Sequence, residues 1–363
     1  MTEQLTAWAP RWTVAPGEIL VEALAERHMS QAELSRRMAR PLKTISEIAT
    51  GKAAITPETA IQLEQVLGIS ASVWMGLESR YREALARERV RAELEGHLEW
   101  LGRFPLRDLI ERGVLEDVGS PTEHAAQLLA FFGVSSPAGW QQHWGQIAAN
   151  YRMRRGGRVS PEAVTVWLRE GERSVEATAL PAYDPTHLRR VMMEMRALSR
   201  AIVFAAALAA ARERLATAGV GLVLIRGVTG APVSGATRWV RDNPLIQLTL
   251  RHYVDDQFWF SLYHEAGHLL EGGRRRDVVE ELPDGRSDAL EERAADRFAR
   301  DTLVPSEPLA SFLAAGDLSR PAVREFAAEI GVAPGVVVGR LQRDRVVDWS
   351  YLNDLKRPLG ERP

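Results

Sequence analysis

Apolar residues recur every three to four positions through residues 16–77, and the pattern breaks at Ser, Thr, Pro and Gly. Ile19, Leu20, Ala23 and Leu24 give residues 16–29 one apolar face, the signature of an amphipathic helix. Ser30-Gln31-Ala32-Glu33 is a capping box that opens a second helix reaching Met38. After Arg40-Pro41 a third helix is expected over residues 42–50, with Ile45 and Ile48 inside and Gly51 as its stop. Thr56 as cap and Pro57 at the first helical position begin a fourth, which ends at Gly68. Ser70 is expected to cap a fifth, carrying Val73, Trp74 and Leu77. Residues 1–13 read as a loose start.

Residues 78–100 are charged all round and predict a solvated connector helix. Residues 101–200 read as mostly helical, with Trp100, Phe131, Phe132, Trp140, Trp144 and Trp167 as core and the scattered His124, His143 and His187 without ligand spacing. The stretch 171–185 is the best linker candidate, and one helix is expected over 185–215. The period then changes from 3.6 to two, predicting strands at 219–225, 236–240 and 245–250. Residues 258–272, FWFSLYHEAGHLLEG, predict a buried helix that Asp255 or Asp256 can cap and Gly272-Gly273 can end. Residues 290–300 predict another, with Leu290, Ala294, Ala295 and Phe298 facing inward. The tail, 306–363, is helical. It has helix-turn-helix flavour at 326–341 but no basic face, so it reads as structural. The fold class is mostly α with a small β-sheet (α+β), divided at 1–82, 83–184, 185–305 and 306–363.

Chemistry concentrates at His264-Glu265-Ala266-Gly267-His268, an H-E-x-x-H motif. Residues four apart share a helix face, so the two imidazoles can grip one metal ion, with zinc expected. Glu265 flanks that site and needs no contact with the metal, which suits a general base. The third ligand is not a histidine of the long H-E-x-x-H-x-x-G-x-x-H form, because those positions hold Glu271 and Arg274. A carboxylate from the later helix is the other solution. Glu292 stands four before Asp296, which can fix a histidine tautomer; Glu291 competes for the ligand role without such a partner. His252, Tyr253 and Tyr263 are candidates for stabilising an oxyanion. The small sheet just before the motif offers an edge strand for an extended peptide.

The net charge of −2 gives no global attraction to nucleic acid, so a basic patch must be local. It is: Arg27, Arg36, Arg37, Arg40, Lys43 and Lys52 face only Glu33 and Glu47 between residues 27 and 52. Two short helices and a tight turn inside a five-helix unit follow the helix-turn-helix plan. Leu42, Lys43, Thr44, Ser46 and Glu47 are the outward residues of the reading helix. Gln31 and Lys52 are further candidates for DNA contact. The absence of cysteine excludes disulfides and thiolate chemistry and fits a cytoplasmic setting. No apolar run is long enough for a membrane span, the longest being 201–211.

Two resemblances add to this reading. AELSRRMARPLKTISEIATGKAAITPETAIQLEQVLGISASVWMGLESRY resembles the XRE (lambda-repressor-like) helix-turn-helix of the HigA antitoxins over residues 14–82. The resemblance implies binding of double-stranded operator DNA as a homodimer, and a ribonuclease toxin as a possible partner. GVGLVLIRGVTGAPVSGATRWVRDNPLIQLTLRHYVDDQFWFSLYHEAGHLL with EERAADRFARDTLVP resembles the ImmA/IrrE gluzincin-type metallopeptidases over residues 215–305. That resemblance implies zinc held by His264, His268 and Glu292, catalysis by Glu265, and a repressor as protein substrate in a stress response. Where that family reads Glu-Ala-Asn, this sequence has Ala294, Ala295 and Asp296. Three functions compete: a DNA-binding regulator with a working zinc peptidase that cleaves a repressor or antitoxin-like protein, one whose zinc domain only senses, and a HigA-type antitoxin.

Overall fold

A computed structural model describes residues 14–147, 160–249, 254–271 and 286–359. The chain divides into two compact units, Met1–Leu98 and Glu99–Pro363. No helix among the described residues is long and apolar enough to cross a membrane.

Among its described residues the first unit holds five helices: α1 (Pro16–Glu26), α2 (Gln31–Arg37), α3 (Leu42–Ala49), α4 (Pro57–Leu67) and α5 (Ala71–Glu95). The Ser30 hydroxyl accepts from the Glu33 amide at 3.1 Å, as the capping box predicts. Thr56 caps α4 through the Thr59 amide, and Gly51 and Gly68 take the left-handed conformation after α3 and α4. Leu20, Leu24, Leu34, Ile45, Ile48, Leu63 and Trp74 close one core. α1 meets α3 so tightly that a Cβ on Gly17 would lie 2.4 Å from the Ile48 carbonyl oxygen. Ser70 does not cap α5; its hydroxyl meets Ser72 instead, and the Glu64 carboxylate accepts from the Ala71 amide. α5 runs on for 25 residues, so the fifth helix and the connector are one element.

The second unit is built on a three-stranded sheet, β1 (Gly221–Leu224), β2 (Gly235–Val240) and β3 (Asn243–Leu248), in the order β1-β3-β2. β3 runs parallel to β1 and antiparallel to β2, with Gly235 opposite Leu248 and Val240 opposite Asn243. Helix Pro161–Val175 covers one face: the buried Gln247 donates to the Trp167 carbonyl, and a Cβ on Gly171 would collide with the Gln247 side chain. Residues 171–175 of the expected linker are therefore part of a packed helix. The other face carries helix Asp255–Glu271, with Ile246 and Leu248 packed among Phe258, Trp259, Leu262 and Ala266.

The helix expected over 185–215 is broken into Pro185–Met195, a 3-10 turn at Arg196–Arg200, and Phe204–Thr217. The turn is a docking point, because the Ser199 hydroxyl accepts from the Ala333 amide at 3.0 Å. Helices Arg320–Glu329 and Pro334–Arg343 form the tail pair. Val336, Val337, Val338 and Leu341 of the second are buried against the core, which leaves this pair a packing role.

Asp255 and Asp256 are buried at the head of the Asp255–Glu271 helix and serve as more than caps. The Asp255 carboxylate does accept from the Asp256 amide, but it also takes hydrogen bonds from the Arg357 amide and guanidinium at 3.0 and 3.1 Å. The Lys356 ammonium lies 2.9 Å from Asp256. The Arg357 guanidinium reaches on to the carbonyls of Ser199, Arg200 and Ala201.

Candidate metal centre and DNA-binding face

Helix Asp255–Glu271 presents His264 and His268 on one face, and helix Arg286–Leu303 lies against that face. The contact is close because both surfaces are small. A Cβ on Gly267 would lie 2.8 Å from the Ala295 Cα, and Ala295 and Ala299 are fully buried. Ala295, Ala299 and Leu303, not Leu290, form the inner face of the second helix, and Leu290 is exposed. Gly267 thus has a purpose the motif alone does not disclose: it lets the two backbones approach until Glu292 reaches the histidines. Gly267→Val should wedge the helices apart, weakening zinc binding at least about tenfold while DNA binding is retained. Competition against a chromophoric chelator measures this, and an unchanged affinity would refute the wedge argument.

The donor atoms converge. His268 Nε2 is 3.1 Å from His264 Nε2. The two Glu292 oxygens lie 3.3 Å from His264 Nε2 and 3.6 Å from His268 Nε2. His264, His268 and Glu292 are the three residues brought within metal-binding reach among the described residues. Tetrahedral zinc with bonds of about 2.0–2.1 Å needs its ligands about 3.3 Å apart. The observed separations match that edge, so the residues present fit a zinc ion. Glu291 is not part of the cluster.

Asp296 stands one turn beyond Glu292, and its carboxylate lies 2.9 Å from His264 Nδ1. That contact fixes the tautomer that turns Nε2 to the cluster, and it holds the Asp296 carboxyl below the usual carboxylate range. Burial pushes the His264 imidazole pKa down, but the hydrogen bonds of Asp296 and Glu292 and the charge of Glu265 together outweigh it, raising the value to about 9 in the metal-free protein.

Glu265 is 7% exposed and points to β2. The Thr237 hydroxyl donates to its carboxylate at 2.8 Å. A Cβ on Gly235 would lie 2.5 Å from the same carboxylate, so glycine is required there. Among the described residues β2 is an edge strand of the sheet, and it runs directly past Glu265. Sequence reasoning missed Thr237 and Gly235, since neither carries a motif of its own.

Tyr263 is excluded as an oxyanion donor. It is fully buried, its hydroxyl donates to the Met192 carbonyl at 2.6 Å, and burial pushes its pKa up. His252 and Tyr253 lie outside the described residues.

In the first unit, Leu42, Lys43, Ser46 and Lys52 are exposed and Gln31, Thr44 and Glu47 are half-buried. They lie at the start of α2, along α3 and just beyond it. Two of the six cations serve the fold. Arg27 donates to the carbonyls of Ala23 and Leu67, and Arg40 donates to Gln62. Arg37 pairs with Glu33. Lys43 pairs loosely with Glu47 at 3.8 Å and is mostly in solvent.

Comparison with known proteins bears on this unit. Residues 20–74 match the helix-turn-helix family model. Over 75 residues, 21% of this chain and 80% of the other, the chain is 41% identical to the uncharacterized HTH-type transcriptional regulator YddM of Escherichia coli (strain K12). It is also similar, at 29% identity over 23% of this chain and 92% of the other, to an addiction module antidote protein of the HigA family from Coxiella burnetii, with a TM-score of 0.22.

Proposed function

Because the chain belongs, through its first unit, to the helix-turn-helix transcriptional regulators, which bind DNA, we propose that it is a two-function protein: a DNA-binding regulator carrying a zinc-dependent peptidase that cleaves a repressor or antitoxin-like protein under stress. The observation that carries the peptidase half is the pairing of three convergent donors with an oriented carboxylate, Glu265, that is not one of them. A purely structural site has no use for that carboxylate.

Zinc held by His264, His268 and Glu292 would supply Lewis acidity and lower the pKa of a water toward about 7. Glu265 takes a proton from the attacking water and returns it to the leaving amine. Thr237 holds the Glu265 carboxylate in one orientation for both transfers. The free edge of β2 offers main-chain groups on which an extended substrate segment aligns beside Glu265.

In the regulator half, α3 enters the major groove and its exposed Leu42, Lys43 and Ser46 meet the DNA. A homodimer would read two half-sites about one helical turn apart. Lys43→Ala should weaken operator binding of the full chain and reduce the slope of log affinity against log salt by about one. Titration of labelled operator at several salt concentrations measures it; an unchanged affinity and slope would remove Lys43 from the interface. The peptidase half is tested by Glu265→Gln.

A further inference from the structure

A second cleft opens on the same unit, lined by Phe260, whose ring also stacks toward the metal cluster's His264. Its cavity volume is ≈ 20 Å³, and Asp256, Phe260, Arg300, Gly339, Arg340 and Arg343 line it with aliphatic neighbours. Three helices meet there: Asp255–Glu271, Arg286–Leu303 and Pro334–Arg343. Gly339 is needed for the meeting, since a Cβ on it would lie 2.8 Å from an Asp256 carboxylate oxygen.

Two guanidinium groups of the cleft keep an N–H that the protein does not pair. Arg340 is satisfied by Asp344 at 2.6 Å and by the Val304 carbonyl. Arg343 stacks on the Phe260 ring and gives one Nη to Gln257. Its other Nη is buried with no hydrogen-bond partner, and so is the Nε of Arg300. Buried donors are nearly always paired, by the protein or by something bound. Burial pulls the Arg343 pKa down to about 10; the charges of Asp256 and Asp296 oppose that shift and the charge of Arg300 adds to it. The one carboxylate of the lining, Asp256, has the Lys356 ammonium 2.9 Å away, and its oxygens too are buried with no hydrogen-bond partner.

We propose that this cleft is a binding site for a compact oxyanion, a phosphoryl or carboxylate head group, gripped between the Nε of Arg300 and the free Nη of Arg343. Guanidinium N–H pairs match the oxygen spacing of either group. The aliphatic walls would hold the carbon body of a small ligand at the mouth. The site is separate from the metal cluster, though Phe260 stacks toward His264 at a centroid distance of 6.0 Å and Arg300 lies one turn beyond Asp296. That position makes it an effector site beside the candidate peptidase centre, and its existence does not depend on catalysis.

The test is calorimetric titration of the full chain with inorganic phosphate, with acetate and with chloride at equal ionic strength. It is run in a His264→Ala background, so that anion binding to a metal cannot contribute. Saturable binding of phosphate or acetate is expected, and whichever binds tighter identifies the head group. Arg300→Gln should weaken it at least about tenfold, as loss of a charge-assisted hydrogen bond does. Arg343→Gln should do the same, with circular dichroism confirming that the chain remains folded. Arg300→Gln is the safer variant because its side chain is partly exposed. Equal affinity in the parent and Arg300→Gln proteins, or a chloride response matching phosphate, would overturn the proposal.

Discussion

Replacing Glu265 by Gln should leave zinc, fold and DNA binding intact and lower proteolysis by about 10²–10⁴, the usual worth of a general base. The substitution keeps the side-chain shape and can still accept the hydrogen bond that Thr237 donates. It removes only the capacity to carry a proton. Gly235, which leaves the carboxylate its space, accommodates the isosteric amide equally well. The measurement compares new protein N-termini in cells exposed to DNA damage, with the wild-type and Glu265→Gln genes side by side. A cleavage product confined to the wild-type strain is expected, together with derepression of the genes its target controls. Identical termini and identical derepression in both strains would end the peptidase reading and leave the cluster as a sensor or scaffold.

His264→Ala should abolish stoichiometric zinc. Purified protein is expected to hold about one zinc per chain, and removing a direct ligand should cost more than the roughly 10–100-fold that a ligand's hydrogen-bond partner is worth. Asp296→Ala supplies that smaller comparison, since Asp296 touches only the far nitrogen of His264. Glu292→Ala should resemble His264→Ala. The metal-free imidazole of His264 is protonated at neutral pH, with its pKa raised from 6.5 to about 9. Zinc has to displace that proton, so affinity should rise about tenfold per pH unit up to about pH 9. The same shift has a stability consequence for the metal-free chain. The protonated ring's contacts contribute fully below pH 6.5 and fade as pH passes through about 9. Atomic absorption after dialysis, repeated across pH, reads the first two effects. Retention of one zinc per chain in both ligand variants would place the metal elsewhere.

Much of this was legible from local pattern. Ser30, Thr56, Pro57 and Gly68 mark helix ends by chemistry that acts within four residues, and the structure places those ends there. Strands expected at 219–225, 236–240 and 245–250 lie at 221–224, 235–240 and 243–248, and Asn243 and Pro244, read as a turn, belong to the third because they pair with Val240 and Trp239. The H-E-x-x-H spacing places both imidazoles on one face with no tertiary information. What the sequence hid depends on contacts between distant segments. Nothing local marks Gly267 as the point where two helices touch, or Gly235 and Thr237 as the wall behind Glu265. Residues 171–175 look like a polar linker because Gly171 is a helix breaker by propensity. Glycine stands there because Gln247 occupies the space a side chain would fill. Leu290 looked inward by period, yet close approach of the backbones favours the small face of Ala295 and Ala299.

The grip of Lys356 and Arg357 on Asp256 and Asp255 also sets a timetable for synthesis. The pair Asp255 and Arg357 is 102 residues apart along the chain. At ribosomal rates of 5–20 residues per second, roughly 5–20 s separate the birth of the metal helix from the birth of the residue that secures its head. Two buried carboxylates stand without their cations during that interval, while the helix-turn-helix unit upstream is already complete. On a nascent chain the residues of the DNA-binding unit are therefore all present before Arg357, which holds the head of the metal helix, has been added.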